Sequence, residues 1–106
     1  MATGRLGAQD LAATTDTTLY TCPSGTFSVV TVSICNRATT PVFINVALTS
    51  DATPTNSEYL EFGVEILPNA VLERTGIVMD EFKRIVVRAT QTEVSAVCYG
   101  IETQTA

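Results

Sequence analysis

The sequence contains no histidine and no tryptophan among its 106 residues. Histidine is the commonest general base and metal ligand in proteins, so its absence removes most hydrolase and zinc arrangements. Carboxylates remain, but Glu58, Glu61, Glu65 and Glu73 show no sequence signal of pairing and are predicted to be solvated surface charges. The six glycines are scattered and form no phosphate-binding loop. We therefore expect a protein that is not an enzyme and that needs no metal or cofactor.

Positive charge is scarce as well. Lys83 is the only lysine, the net charge is −5, and there is no basic stripe that could neutralise phosphates. No apolar run approaches the roughly 20 residues of a membrane span, and residues 1–16 lack the hydrophobic core of a secretory signal. We expect no nucleic-acid partner, no membrane partner, and synthesis in the cytoplasm without a signal peptide.

Threonine and valine are abundant, with 18 and 12 copies, and both favour β-sheets. Residues 26–36 and 42–48 alternate apolar with mixed side chains at a period of two, which is typical of strands that have one apolar face. The polar residues 37–41 between them end in Pro41, which suits the start of a strand. The two segments are predicted to pair as a β-hairpin at the centre of the domain.

The apolar positions change parity inside the first of these segments. Phe27 and Val29 occupy odd positions, whereas Val30, Val32 and Ile34 occupy even ones. In a regular strand this change would move the core face to solvent. We therefore expect a bulge near Val29 and Val30, or burial on both faces.

The remaining predicted strands are separated by turn residues; they cover residues 17–22, 58–62, 64–67, 83–89 and 93–101. Residues 71–79 suit either a strand or a helical turn, and Gly76 indicates a bulge or a close backbone approach. About eight strands at close spacing predict an all-β fold, an antiparallel β-sandwich of the jelly-roll or Greek-key type. This domain is predicted to span residues 17–106.

The segment before it, residues 1–16, is small and polar and shows no sustained period. Leu6 and Leu11 are its only sizeable apolar side chains apart from Met1. Two interpretations remain open for this N-terminal arm. It is a disordered tail, or it is an extended arm that lies on a neighbouring subunit, with Leu6 and Leu11 as anchors and Arg5 as a charged contact.

The three cysteines, Cys22, Cys35 and Cys98, are an odd number at wide spacing, which excludes complete pairing within the chain and matches no zinc pattern. Cys35 follows Ile34 and is expected to be buried as a small apolar side chain. A disulfide between Cys22 and Cys98 is geometrically conceivable, because the first and last strands are neighbours in many sandwiches. The alternative is that one cysteine links two subunits.

Six short segments stand in order along nearly the whole chain: residues 5–8 (RLGA), 17–21 (TTLYT), 35–37 (CNR), 58–60 (EYL), 72–77 (LERTGI) and 99–102 (YGIE). Together they resemble a family of virion structural proteins of tailed bacteriophages that are roughly 100 residues long. The resemblance implies a β-sandwich subunit of the virion, used as a capsid decoration, neck or tail accessory protein. It also implies a symmetric homo-oligomer, such as a trimer or hexamer, that contacts other virion proteins. The chain departs from the family at Cys22 and Cys98, where aliphatic residues are expected.

Two other functions remain open. In a baseplate or tail-fibre component, the polar loops at residues 49–57 and 90–92 would be recognition tips on a rigid sandwich. A carbohydrate-binding or enzymatic module is disfavoured, because sugar sites favour exposed aromatic residues and the chain has no tryptophan. Tyr20, Tyr59 and Tyr99 fall within predicted strands and are expected to be core or interface residues.

Overall fold

The computed structural model describes residues 3–105, and these residues form eight β-strands and one short 3₁₀ turn. The strands are β1 (Thr3–Leu11), β2 (Thr17–Thr21), β3 (Thr26–Asn36), β4 (Val42–Thr49), β5 (Tyr59–Ile66), β6 (Val71–Met79), β7 (Arg84–Ala89) and β8 (Val94–Gln104). The 3₁₀ turn, Asn56–Glu58, precedes β5. Within the described residues, no helix is long and apolar enough to cross a membrane. The prediction of an all-β fold is confirmed.

The strands form two four-stranded sheets that pack face to face. Sheet A has the order β1-β8-β3-β6 and sheet B has the order β2-β7-β4-β5, and every pair of neighbouring strands is antiparallel. Consecutive strands therefore alternate between the sheets, except where β4 leads into β5. This order of eight strands is a jelly roll, which is one of the two sandwich types that the sequence predicts.

The predicted hairpin between the two central strands is wrong. β3 lies in sheet A and β4 in sheet B, so residues 37–41 cross between the sheets instead of closing a hairpin. The side chain of Asn36 holds this crossing in place: its Nδ2 donates to the carbonyl oxygens of Thr40 at 2.9 Å and Ile66 at 3.0 Å, and its Oδ1 accepts from the Ala38 N–H at 3.0 Å. A period of two identifies a strand, but it does not identify the strand's partner.

The N-terminal segment is part of the domain and not a separate arm, which corrects the predicted boundary at residue 17. β1 pairs with β8 of the same chain, Leu11 is 2% exposed in the core, and Leu6 packs against the core from its edge. Gly7 permits this docking, because a Cβ atom at this position would lie 2.2 Å from the carbonyl oxygen of Leu19 on β2. The small residues that look structureless in the sequence are what allow β1 to approach the opposite sheet.

The core lies between the sheets, and the even positions of β3 point into it along the whole strand. No bulge is present in β3, whose register with β8 is continuous, so the expected bulge near Val29 and Val30 is wrong. The irregularity lies instead in β6, opposite Val30 and Val32, where Gly76 has a φ of +69°. Residues 71–79 are thus a strand, with the bulge that Gly76 indicates.

Candidate interaction surface

One buried polar cluster explains why the even positions of β3 point into the core even where the residue is the polar Ser28. Ser28 faces inward, where its hydroxyl contacts the Tyr20 hydroxyl at 2.7 Å and the Cys22 sulfur at 3.2 Å. The Tyr20 hydroxyl also donates to the Glu102 carboxylate at 2.5 Å. Burial, and then the hydrogen bond to Glu102, raise the pKa of Tyr20. These groups bond one another inside the fold, so they tie the end of β8 to β2.

The three cysteines are free thiols, and the predicted bridge between Cys22 and Cys98 is not formed. Both residues are fully buried; the Cys22 sulfur also donates to the Thr26 carbonyl oxygen at 3.4 Å, and burial raises the pKa of the Cys98 thiol to about 12. A link between subunits through either sulfur would require the core to open. Cys35 is only half-buried, because its odd position in β3 places it on the outer surface of sheet A.

A shallow depression of about 330 Å³ lies along the pairing of β1 with β8. It is lined by Ala8, Gln9, Asp10, Ser95, Ala96 and Val97. This lining offers one carboxylate and one hydroxyl but no activated nucleophile beside a base. In the part of the chain that the structure describes, no three cysteine or acidic side chains are grouped to hold a metal ion.

The outer surface of sheet A carries a contiguous apolar patch. Strand register places Ile101, Val29 and Val78 side by side in one row across β8, β3 and β6. Phe27 and Tyr99 lie two residues away on the same side of β3 and β8. These five residues, which we call the apolar face, are outside the core cluster; Val78 is 64% exposed and Ile101 is 49% exposed.

Two charged residues stand at opposite edges of the apolar face. Arg5 on β1 is directly opposite Tyr99, so the two side chains share the outer surface. Glu73 on β6, the other edge strand, accepts a hydrogen bond of 2.9 Å from the Tyr99 hydroxyl, and this bond raises the pKa of Tyr99. Asp10, also on β1, is already paired with Arg37. The apolar face therefore has a basic edge and an acidic edge.

The outer surface of sheet B differs. Ala47 on β4 and Val86 on β7 stand there, outside the core cluster, yet they are 0% and 2% exposed. At the end of β4 the Thr49 hydroxyl donates to Glu58 of the 3₁₀ turn at 2.8 Å, which closes the loop between β4 and β5. Large apolar side chains are also exposed on the strands of sheet B: Phe43 on β4 lies beside Glu65, and Phe62 on β5 is 69% exposed, with its ring against that of Tyr59.

The two loops predicted as recognition tips lie at opposite ends of the sandwich. The loop at residues 90–93 lies beside the start of β4, where the Thr90 N–H donates to the Phe43 carbonyl oxygen at 3.1 Å. The loop at residues 50–58 follows the end of the same strand. The two loops do not form one surface.

Of the residues predicted to be assembly contacts or cross-links, only Arg5 lies at the candidate surface, and it does so as its basic edge. Leu6 and Leu11 belong to the domain's own core, and Cys22 and Cys98 are buried. Sequence reasoning missed the apolar face, although it noted Phe27 and Val29, because it assigned them to the core. Comparison with protein-family models, with curated proteins and with solved structures found no match to this chain.

Proposed function

We propose that the protein is a non-enzymatic structural protein of the virion of a tailed bacteriophage, a capsid decoration or neck and collar accessory that acts by protein–protein assembly. The observation that carries this proposal is the apolar face. Monomeric soluble proteins rarely expose contiguous apolar patches, and such patches mark interaction sites. Here the patch lies across three strands of a rigid sheet, where it is flat and accessible.

The fold is consistent with this role. Double-sheet jelly rolls are used in viral capsids, although the same architecture also serves lectins and cupins, so the fold alone does not decide the function. The resemblance in sequence to virion structural proteins is what supports a role in the virion in particular. Two titratable groups favour a structural part, because the buried Tyr20 and the partly buried Glu102 bond to each other and tie β2 to β8.

The proposal is tested on particles of the phage whose genome encodes this chain. We expect quantitative mass spectrometry of purified virions to detect the protein in a fixed ratio to the major capsid protein, and labelled antibody to place it on the particle by electron microscopy. Several hundred copies would indicate capsid decoration, whereas about a dozen would indicate the neck or tail. Absence from purified virions, in an infection that expresses the protein, would contradict the proposal.

A further inference from the structure

We propose that the apolar face binds the apolar face of a second copy of this chain, around a two-fold axis that runs parallel to the strands between β8 and β3. The inference rests on the proposed function and deepens it by naming the partner. Rotation about this axis places β8 of one copy over β3 of the other, and β1 of one copy over β6 of the other. The interface is then isologous, with the same residues contributed from both sides.

The two central residues of the apolar row match under this rotation. Ile101 on β8 and Val29 on β3 are directly opposite each other within one sheet, so the two-fold axis sets Ile101 of each copy against Val29 of the other. Val78, on the edge strand β6, is the last residue of this row within one copy, and it is 64% exposed in the single chain. A charged or polar partner surface would leave this row without apolar contacts.

The charges match under the same rotation. Arg5 stands on β1 and Glu73 on β6, the two strands that the axis superimposes. Their rows are two residues apart, which is about 7 Å along a strand and within the length of an arginine side chain. In the described part of the chain, the Arg5 side chain makes no ion pair or hydrogen bond, and the Tyr99 hydroxyl occupies only the Oε2 atom of Glu73. Arg5 of each copy would thus form an ion pair with Glu73 of the other copy, which gives two ion pairs for each dimer.

The size of the surface is sufficient for a specific dimer. β3 and β8 pair over 11 residues each, and sheet A has four strands. With about 3.3 Å per residue and about 4.8 Å between strands, the outer surface measures about 36 by 19 Å, or about 1,400 Å² for two copies. This value lies at the low end of standard protein–protein interfaces, so we expect association in the micromolar range.

The decisive test is a charge exchange, measured by sedimentation equilibrium on the purified chain. Arg5→Glu and Glu73→Arg should each weaken association by about 10- to 30-fold, because two-fold symmetry converts two attractive pairs into two repulsive ones. The double variant should regain wild-type affinity within about 3-fold, since each pair is restored with its signs exchanged. Tyr99→Phe controls for the hydrogen bond that Glu73→Arg removes and should leave association nearly unchanged. A double variant no tighter than the single variants would overturn the inference.

The apolar centre is tested separately with Ile101→Lys, which should weaken association by at least about 30-fold. Val78→Lys is the second variant in case the first does not fold, and circular dichroism checks both. Glu65→Arg, on the outer surface of sheet B, is the matched control and should have no effect. A wild-type chain that stays monomeric at all accessible concentrations contradicts the inference, as does an association that Ile101→Lys and Val78→Lys leave intact.

The two proposals fail in different ways. If the chain is found in virions but does not pair through the apolar face, the self-association is wrong and the virion role stands. If the charge exchange behaves as expected but the chain is absent from purified virions, the pairing stands and the virion role is wrong. A hexamer with 32 symmetry would contain such two-fold interfaces, whereas a cyclic trimer or hexamer would not.

Discussion

The outer surfaces of the two sheets are built from the same alternation of side chains, but particular outward positions differ in their exposure. On sheet B, Ala47 and Val86 are buried on the outward side, and the 3₁₀ turn is fixed to the end of β4 through Thr49 and Glu58. On sheet A, Val78 and Ile101 occupy outward positions and are about half or more exposed. Outward positions are thus buried at the centre of sheet B and exposed on sheet A.

The largest expected effect is on the free energy of unfolding. It compares the same substitution at a buried outward position of sheet B and at an exposed outward position of sheet A. Val86→Asp would bury a carboxylate on sheet B and should lower the free energy of unfolding by at least about 3 kcal/mol. Val78→Asp, at an exposed position on sheet A, should cost less than about 1 kcal/mol, mainly through lower strand propensity. Urea unfolding at a protein concentration that keeps the chain monomeric measures both. Equal losses would mean that the surfaces do not differ in this way.

Thiol labelling gives the next largest contrast. Cys35, on the outer surface of sheet A, should react with a maleimide in the native protein, whereas Cys22 and Cys98 are fully buried. Their labelling must await opening of the core and should be slower by a factor of about 1,000 or more. Mass spectrometry of digested protein identifies each site, and labelling in denaturant should reach all three.

The same reaction tests the proposed pairing. Self-association through sheet A should slow the labelling of Cys35 as the protein concentration rises, and Ile101→Lys should abolish that dependence. Rapid native labelling of Cys22 or Cys98 would contradict the buried state of these thiols.

The sequence predicts the strands of this fold well because period two is a local property. Residues 26–36 form a strand with the predicted bounds, and residues 71–79 form one around the bulge that Gly76 indicates. Strand pairing is not local, which is why the predicted hairpin of β3 with β4 is wrong. β1 was missed for the same reason: its sequence is nearly free of apolar side chains, and it is a strand because β8 offers an edge and Gly7 fits against β2.

The candidate surface was harder to predict. Where a strand has apolar residues at both parities, as at Phe27, Val29 and Val30, the pattern does not state which side is inside. The structure resolves this through Ser28, which is buried because Tyr20 and Cys22 supply its partners from β2 and the turn after it. Because the polar side chain of Ser28 points inward, Phe27 and Val29 on either side of it point outward. The pattern of apolar residues within β3 does not contain this information, because the partners of Ser28 lie outside the strand.

A smaller loss of stability is expected in acid at the loop of residues 50–58, between β4 and β5 of sheet B. The Thr55 N–H donates to the Glu58 carboxylate at 2.8 Å and, with the Thr49 hydroxyl, holds the pKa of Glu58 below its ordinary 4.5. A lowered pKa in the folded state stabilises the protein above pH 4.5, and this stabilisation is lost as the pH falls through the folded value. Glu58→Gln should therefore lower Tm at neutral pH and reduce its decline in acid.

The measurement is Tm against pH, together with hydrogen exchange of the amides at residues 50–58, whose protection factors, relative to the intrinsic rate at each pH, should fall in acid in the wild type. Glu65→Gln, on β5, the strand that follows the loop, is the control and should leave the decline of Tm in acid unchanged. An acid decline identical in Glu58→Gln and the wild type would show that this carboxylate does not hold the loop.

The smallest effect is expected at Tyr99, and it has the opposite pH direction. The hydrogen bond to Glu73 raises the pKa of Tyr99 above its ordinary 10.0, so the stabilisation is complete below pH 10.0 and is lost as the pH rises through the folded value. Glu73→Gln should move the Tyr99 pKa back toward 10.0, as followed by NMR of the tyrosine ring carbons, whereas Glu65→Gln should not. Tyr20 also has a raised pKa, so only a titration resolved for each tyrosine assigns the change to sheet A. Acid then loosens the loop at the end of β4 in sheet B, and alkali loosens the acidic edge of the apolar face on sheet A.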